Sequence, residues 1–271
     1  MSRKRVVLAI IIGLIFGLAL FGNHLNLNYR SLVASTQNAK PLLDDETLSS
    51  YSKQLVNNLA AKKAEFAIVS RAGQARKRLP EGVNYTHSAF WILNDLGTYD
   101  VYNLYHGEEN KLISSLVTDA PSDFIKPTRA HDVGIILPVP EFQTAMKKYI
   151  GSAAYGRTHN PTYSLISNPF DPRYQNCNEF VLDELASAIW QESDVAKLIE
   201  KLPATFKPTE IKAGPIKRFL GPIVDERLVM KDHGKVIATT TREDLIEFLK
   251  SQSLVEEAYR LDFTPLRLAA P

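Results

Sequence analysis

The stretch Asn168-Pro-Phe-Asp-Pro-Arg-Tyr-Gln-Asn-Cys-Asn-Glu-Phe-Val-Leu-Asp183 decides how the rest of the chain is read. Pro169 and Pro172 forbid a regular element in its first half. Its second half opens a helix over 176–191. Asn176 is a favourable N-cap, and Glu179, three residues on, completes a capping-box-like pair. Val181, Leu182, Leu185, Ala188 and Ile189 then form an apolar stripe that buries the helix and fixes its first turn. Cys177 is the first residue inside that helix. A thiol there feels the positive end of the helix dipole, which lowers its pKa and favours the nucleophilic thiolate. It is also the single cysteine of 271 residues, so no internal disulfide accounts for it. A buried structural cysteine is the plain alternative, but the polar frame of Gln175, Asn176, Asn178 and Glu179 argues against an ordinary core position.

A thiolate used in catalysis needs an acid–base partner. The chain holds six histidines. His24, His159 and His233 fall in linker or turn-like segments, His131 precedes a strand and His106 follows one. His87 differs, standing in the strand-like Tyr85-Thr-His-Ser-Ala-Phe-Trp91, where Ser88 and Ala89 leave room for a second element to approach. A strand histidine facing a helix that begins with cysteine is a papain-type arrangement. The histidine spacing and the lack of a second cysteine exclude a zinc site, and no other metal or cofactor is implied.

Working outward, residues 44–64 read as a helix capped by Asp44 and Asp45. Residues 66–70, 86–93, 99–105 and 132–137 read as strands, the second and third as a hairpin. A helix over about 141–150 follows Pro138 and Pro140. After Ser193 prolines break the pattern. Residues 227–230 and 235–240 suggest a hairpin around Asp232–Gly234, and residues 241–251 a last helix capped by Thr241. The fold class is α+β, an antiparallel sheet packed against helices.

The first residues carry a different signal. Arg3, Lys4 and Arg5 precede a run over 6–21 of apolar residues and glycine only. At the helical rise it is about 24 Å long, which suits a signal sequence or a short signal anchor. The basic flank should stay in the cytoplasm. The expectation is an N-terminal membrane helix that leaves the body periplasmic or otherwise extracytoplasmic, anchored in the inner membrane or released after cleavage. Residues 1–22 are then the anchor or signal peptide, 23–43 a linker, 44–192 the core, and 193–271 an extension packing on it. A net charge of +2 and the absence of basic clusters interleaved with aromatics exclude a nucleic-acid partner.

Thr86-His-Ser-Ala-Phe-Trp91 followed by Tyr174-Gln-Asn-Cys-Asn-Glu-Phe180 resembles the circularly permuted branch of the NlpC-type papain-like superfamily, in which the histidine strand precedes the cysteine helix. Within that branch the chain is similar to an uncharacterised family of exported bacterial proteins. Its hallmark is a His-small-small strand with an Asn-Pro-aromatic-Asp-x-Arg-Tyr-Gln-Asn-Cys-Asn block. The resemblance covers roughly residues 66–190. It implies a permuted papain-like fold with a catalytic Cys177–His87 dyad and a polar residue on the next strand that orients the imidazole. Asn103 suits that role, with His106 as the alternative. It implies an oxyanion hole built from the Cys177 backbone N–H, with Gln175, beside the capping Asn176, as a second donor. The activity implied is that of an exported cysteine hydrolase of amidase or peptidase type, acting through an acyl-enzyme on cell-wall peptides. Acyltransferase or thioesterase chemistry on another acyl substrate is the near alternative, and a non-catalytic envelope binding or scaffold module is the distant one.

Overall fold

The computed structural model describes residues 41–264, and the apolar run over 6–21 lies outside them. Among the described residues no helix is long and apolar enough to cross a membrane.

The chain opens with α1 (Asp45–Ala61), whose N-cap Asp44 accepts a hydrogen bond from the Thr47 N–H. Leu48, Tyr51, Leu55 and Leu59 recur at helical spacing and are buried. Strands β1 (Phe66–Arg71), β2 (His87–Leu93), β3 (Tyr99–His106) and β4 (Ser114–Asp119) follow, then the short helix α2 (Pro121–Ile125). Next come β5 (Asp132–Pro138), α3 (Pro140–Ile150), α4 (Cys177–Trp190) and α5 (Val195–Lys201). The chain closes with β6 (Thr209–Ile211), α6 (Pro215–Val224), β7 (Ile237–Thr239), α7 (Arg242–Ser251) and β8 (Val255–Asp262).

Six strands form one antiparallel sheet in the order β4-β3-β2-β1-β5-β8. Both faces are covered, which explains why β1, β2 and β5 read as continuous apolar runs rather than alternating ones. One face carries Phe66, Ile68, Phe90, Leu104 and Ile136 against α3, α4 and α7. The other carries Ala67, Val69, Ala89, Trp91, Val101 and Ile135 against α1 and α2. Trp91 is fully buried there, edge-on to Phe124 at a centroid distance of 5.4 Å.

The predicted hairpin of residues 227–230 with 235–240 is not formed. Residues 237–239 pair instead with β6, as a separate two-stranded sheet. Asp232 is buried, its carboxylate and carbonyl accepting from the N–H and side chain of Asn168, so the turn serves a loop and not a hairpin. The last helix begins as expected, with Thr241 and Asp244 closing a reciprocal capping box. Its Arg242 lies across Gly134 of β5 and donates to the Ile135 and Tyr259 carbonyls. A Cβ on Gly134 would stand 2.2 Å from Arg242 Nε and 2.8 Å from Tyr85 Cε2. Gly134→Ala should therefore expel the Arg242 guanidinium and destabilise the protein by about 1–3 kcal/mol in urea unfolding.

Candidate functional site

Asn176 caps α4 as its sequence suggests, with Oδ1 accepting from the N–H groups of Asn178 and Glu179. Cys177 is the first helical residue and is 2 % exposed. Its Sγ lies 3.7 Å from the carbonyl oxygen of Thr86, the residue before His87. The helix start is thus brought to the end of β2.

His87 and Asn103 meet directly. They lie on neighbouring strands, and His87 Nε2 is 2.9 Å from Asn103 Oδ1. The orientation of the amide follows from its other partners. Asn103 Nδ2 donates to the Val101 carbonyl at 3.0 Å and to Asp119 Oδ2 at 3.1 Å. A carbonyl oxygen only accepts, so the NH2 group must face Val101 and Oδ1 must face the imidazole. A neutral His87 therefore carries its hydrogen on Nε2, which leaves the lone pair on Nδ1. That atom is buried and makes no hydrogen bond.

The imidazole is wedged between aromatic groups. Tyr105 stacks on it at 5.0 Å, and the Phe124 ring lies 5.7 Å away. Tyr105 in turn donates to Asp119 Oδ2 at 2.8 Å. Arg71, fully buried, stands directly opposite His87 in the β1–β2 register, with its guanidinium 5.3 Å from the Phe124 ring. Burial, then the Arg71 cation, push the His87 pKa well below its ordinary value. Both effects favour the neutral imidazole over the charged one.

Strand alternation points His87, Asn103 and Tyr105 to the α1–α2 side, while the body of α4 packs on the other face. Cys177 and His87 can approach one another only where the helix start comes level with the end of β2.

The remaining sequence candidates have structural duties. Gln175 uses both Nε2 hydrogens, on the Thr158 carbonyl at 3.0 Å and on Asp183 Oδ2 at 2.6 Å, so it has none to offer an oxyanion. Glu179 does not close a capping box, because its carboxyl accepts from Ser167 Oγ instead. His106 has both nitrogens engaged, Nδ1 with the Gly107 carbonyl and Nε2 with Arg227 Nη1, and projects from the opposite face to His87. Burial pulls its pKa down to about 4. Asn178 Nδ2 donates to the Thr240 carbonyl. The polar frame around Cys177 is therefore a clamp that fixes the helix start. Asp119, Tyr105 and Arg71 were not singled out from sequence. Alternation on β3 and β4 puts Asp119 near Asn103 only once β4 is known to exist.

Among the described residues no cluster of His, Cys, Asp and Glu is arranged to hold a metal ion. Residues 58–249 match a family of uncharacterised proteins conserved in bacteria, DUF2145. The chain belongs to this family. No curated protein and no solved structure matches it.

The first expected consequence concerns the tautomer. Long-range ¹⁵N–¹H correlation spectra at neutral pH should show His87 as the neutral Nε2–H form. Asn103→Leu, which removes the acceptor, should give a tautomer mixture and cost about 1–3 kcal/mol of stability. The second concerns Asp183, whose pKa burial pushes up to about 8. A carboxyl raised in the folded state stabilises fully below its unfolded pKa, and that contribution is lost as pH rises through the folded value. Asp183→Asn keeps the acceptor for Gln175 and no longer ionises. Its stability relative to the parent protein should rise between about pH 4 and 8, by at most about 1.4 kcal/mol per pH unit in chemical denaturation.

Proposed function

We propose that this protein is an exported cysteine hydrolase of the permuted papain-like type, cleaving amide or related acyl bonds with Cys177 as nucleophile and His87 as base. One observation carries the proposal. The fixed amide of Asn103 accepts from His87 Nε2–H and leaves Nδ1 as an open base, on the residue next to the carbonyl against which the Cys177 thiol rests. The order of histidine strand before cysteine helix, and the orienting residue on the adjacent strand, support the same reading.

In this mechanism the start of α4 has to shift past the end of β2 to bring the thiol to Nδ1, because His87 projects to the face opposite the body of α4. Nδ1 takes the thiol proton as Sγ attacks the substrate carbonyl carbon, and Asn103 Oδ1 holds the resulting imidazolium through Nε2–H. The developing oxyanion meets the backbone N–H of Cys177 at the positive end of α4. The C–N bond then breaks, the amine takes the proton from Nδ1, and a thioester remains on Cys177. Water attacks the thioester, giving one proton to Nδ1 and returning it to Sγ on release of the acid. The basic flank and apolar run over residues 3–21 suit a body exported from the cytoplasm, where cell-wall peptides offer such bonds.

A second reading, a non-catalytic envelope module, draws on the full burial of His87 and the 2 % exposure of Cys177. Acyl trapping separates the two. Incubation with p-nitrophenyl acetate should release a burst of nitrophenol and add one acetyl group at Cys177, read by peptide mass spectrometry. His87→Ala should slow acylation by about 100-fold or more. Absence of the acetyl adduct, or equal acylation without His87, would overturn the hydrolase and leave the binding module.

A further inference from the structure

Helix α6, Pro-Ile-Lys-Arg-Phe-Leu-Gly-Pro-Ile-Val over Pro215–Val224, is amphipathic in the inverted sense. At 100° per residue Phe219, Ile223, Ile216 and Leu220 share one stripe about 100° wide. An ordinary surface helix turns such a stripe to the core. Here Ile216 is 67 %, Phe219 74 % and Ile223 71 % exposed. The side turned to the body carries Arg218 and Gly221. Arg218 donates to the Gly234 and Lys235 carbonyls, and Gly221 is buried against Leu228 and Met230. The stripe is thus held outward by fixed contacts on the other side of the helix.

The helix itself carries only cations, with Glu210 before it and Asp225 and Glu226 after it. Residues 211–224 contain Lys212, Lys217 and Arg218 and no acidic residue. Lys212 reaches Glu81 at 3.3 Å, but both side chains are at least 86 % exposed, where such a pair is weak. Lys235 and the half-exposed Val236 lie next to the Arg218 contacts, on the other side of the helix from the stripe. Glu226 is the nearest exposed acid after the helix. An apolar stripe of large side chains bordered by lysines matches the chemistry of an anionic bilayer surface, where the stripe enters the acyl boundary and the cations meet lipid headgroups. The chain also carries, outside the described residues, an apolar run over 6–21 next to Arg3, Lys4 and Arg5, which suits the same surface.

We propose that α6 docks the folded body on an anionic membrane surface, with Phe219, Ile216 and Ile223 inserted. This does not depend on the hydrolase reading. The test uses the full chain with Cys177→Ser and a fluorescent nitrobenzoxadiazole probe on Phe219→Cys, mixed with phosphatidylglycerol-containing vesicles. Because the run over 6–21 can itself hold the chain to vesicles, the readout is insertion of the probe and not binding. Emission should shift to the blue and be quenched by acyl-chain nitroxide lipids, whereas the same probe on the exposed Glu200→Cys should not respond. Ile223→Asp should reduce the inserted fraction about tenfold or more. Phosphatidylcholine vesicles should reduce it by at least a similar factor. A probe that stays water-like overturns the proposal. A probe shielded but unquenched by the lipid nitroxides also overturns it, by showing that a protein surface, this chain's own N-terminal segment or a second copy, covers the stripe.

Discussion

The Val101 carbonyl can accept a hydrogen bond but cannot donate one, and the geometry of the candidate site follows from that asymmetry. It fixes which end of the Asn103 amide faces β2, and so which nitrogen of His87 bears hydrogen. Asp119 repeats the constraint from β4 while also accepting from the hydroxyl of Tyr105, whose ring stacks on the imidazole. The site residues lie on adjacent antiparallel strands, so the chain of contacts is set by register rather than by loops. Arg71 occupies the position opposite His87 for the same reason. Its cation discourages a second charge on the imidazole. A charged His87 would therefore have to be stabilised by something created during reaction, and a thiolate or an oxyanion at Cys177 is the one such group that the proposed chemistry supplies.

Burial shapes α4 in a second way. Glu179, Asp183 and Glu184 are all buried on this helix, and leaving a carboxylate ionised there costs several kcal/mol. The loop between α3 and α4 answers with donors. Ser167 reaches Glu179, Gln175 reaches Asp183, and Thr158 with the Gly156 N–H reaches Glu184. Desolvation outweighs these bonds and raises all three pKa values. The residues that give the cysteine block its polar look are thus partners for buried carboxyls and helix ends. Polarity around Cys177 is a property of how the helix is held in place, and it carries less information about catalysis than the sequence suggests.

What was legible in the sequence was local. Asn176 and Thr241 announce helix starts through side-chain chemistry that acts within three residues. β1, β2 and β5 announce themselves through unbroken apolar runs. Cys177 and His87 stand out by residue type, and Asn103 by being polar among apolar neighbours on a strand. What was not legible depends on distant partners. β8 carries Glu256, Glu257 and Arg260, which suit an edge strand but read as surface from sequence alone. β4 is likewise an edge strand, with a mixed, polar run. The pairing of residues 237–239 with 209–211 rather than with their near neighbours is a tertiary choice, made because the intervening turn is drawn down to the Asn168 loop. Gln175 looked like an oxyanion donor because its commitments, to the Thr158 carbonyl and to Asp183 on the following helix, form only once the loop and α4 are folded together.

The segment that follows α6 links its exposed face to the cysteine. Arg227 pairs with Asp225 at the helix end, and its carbonyl accepts from the Leu165 N–H at 2.8 Å. The Leu165 carbonyl in turn accepts from Asn176 Nδ2, and Asn176 caps the turn that holds Cys177. Asp232 ties Asn168 to the same segment. A short series of hydrogen bonds therefore runs from the outward-facing helix to the candidate nucleophile. Such a connection transmits an effect only if some element along it has two arrangements. Cys177 is 2 % exposed in this arrangement, so under the proposed chemistry some of the residues that cover it would have to shift before a substrate could reach it.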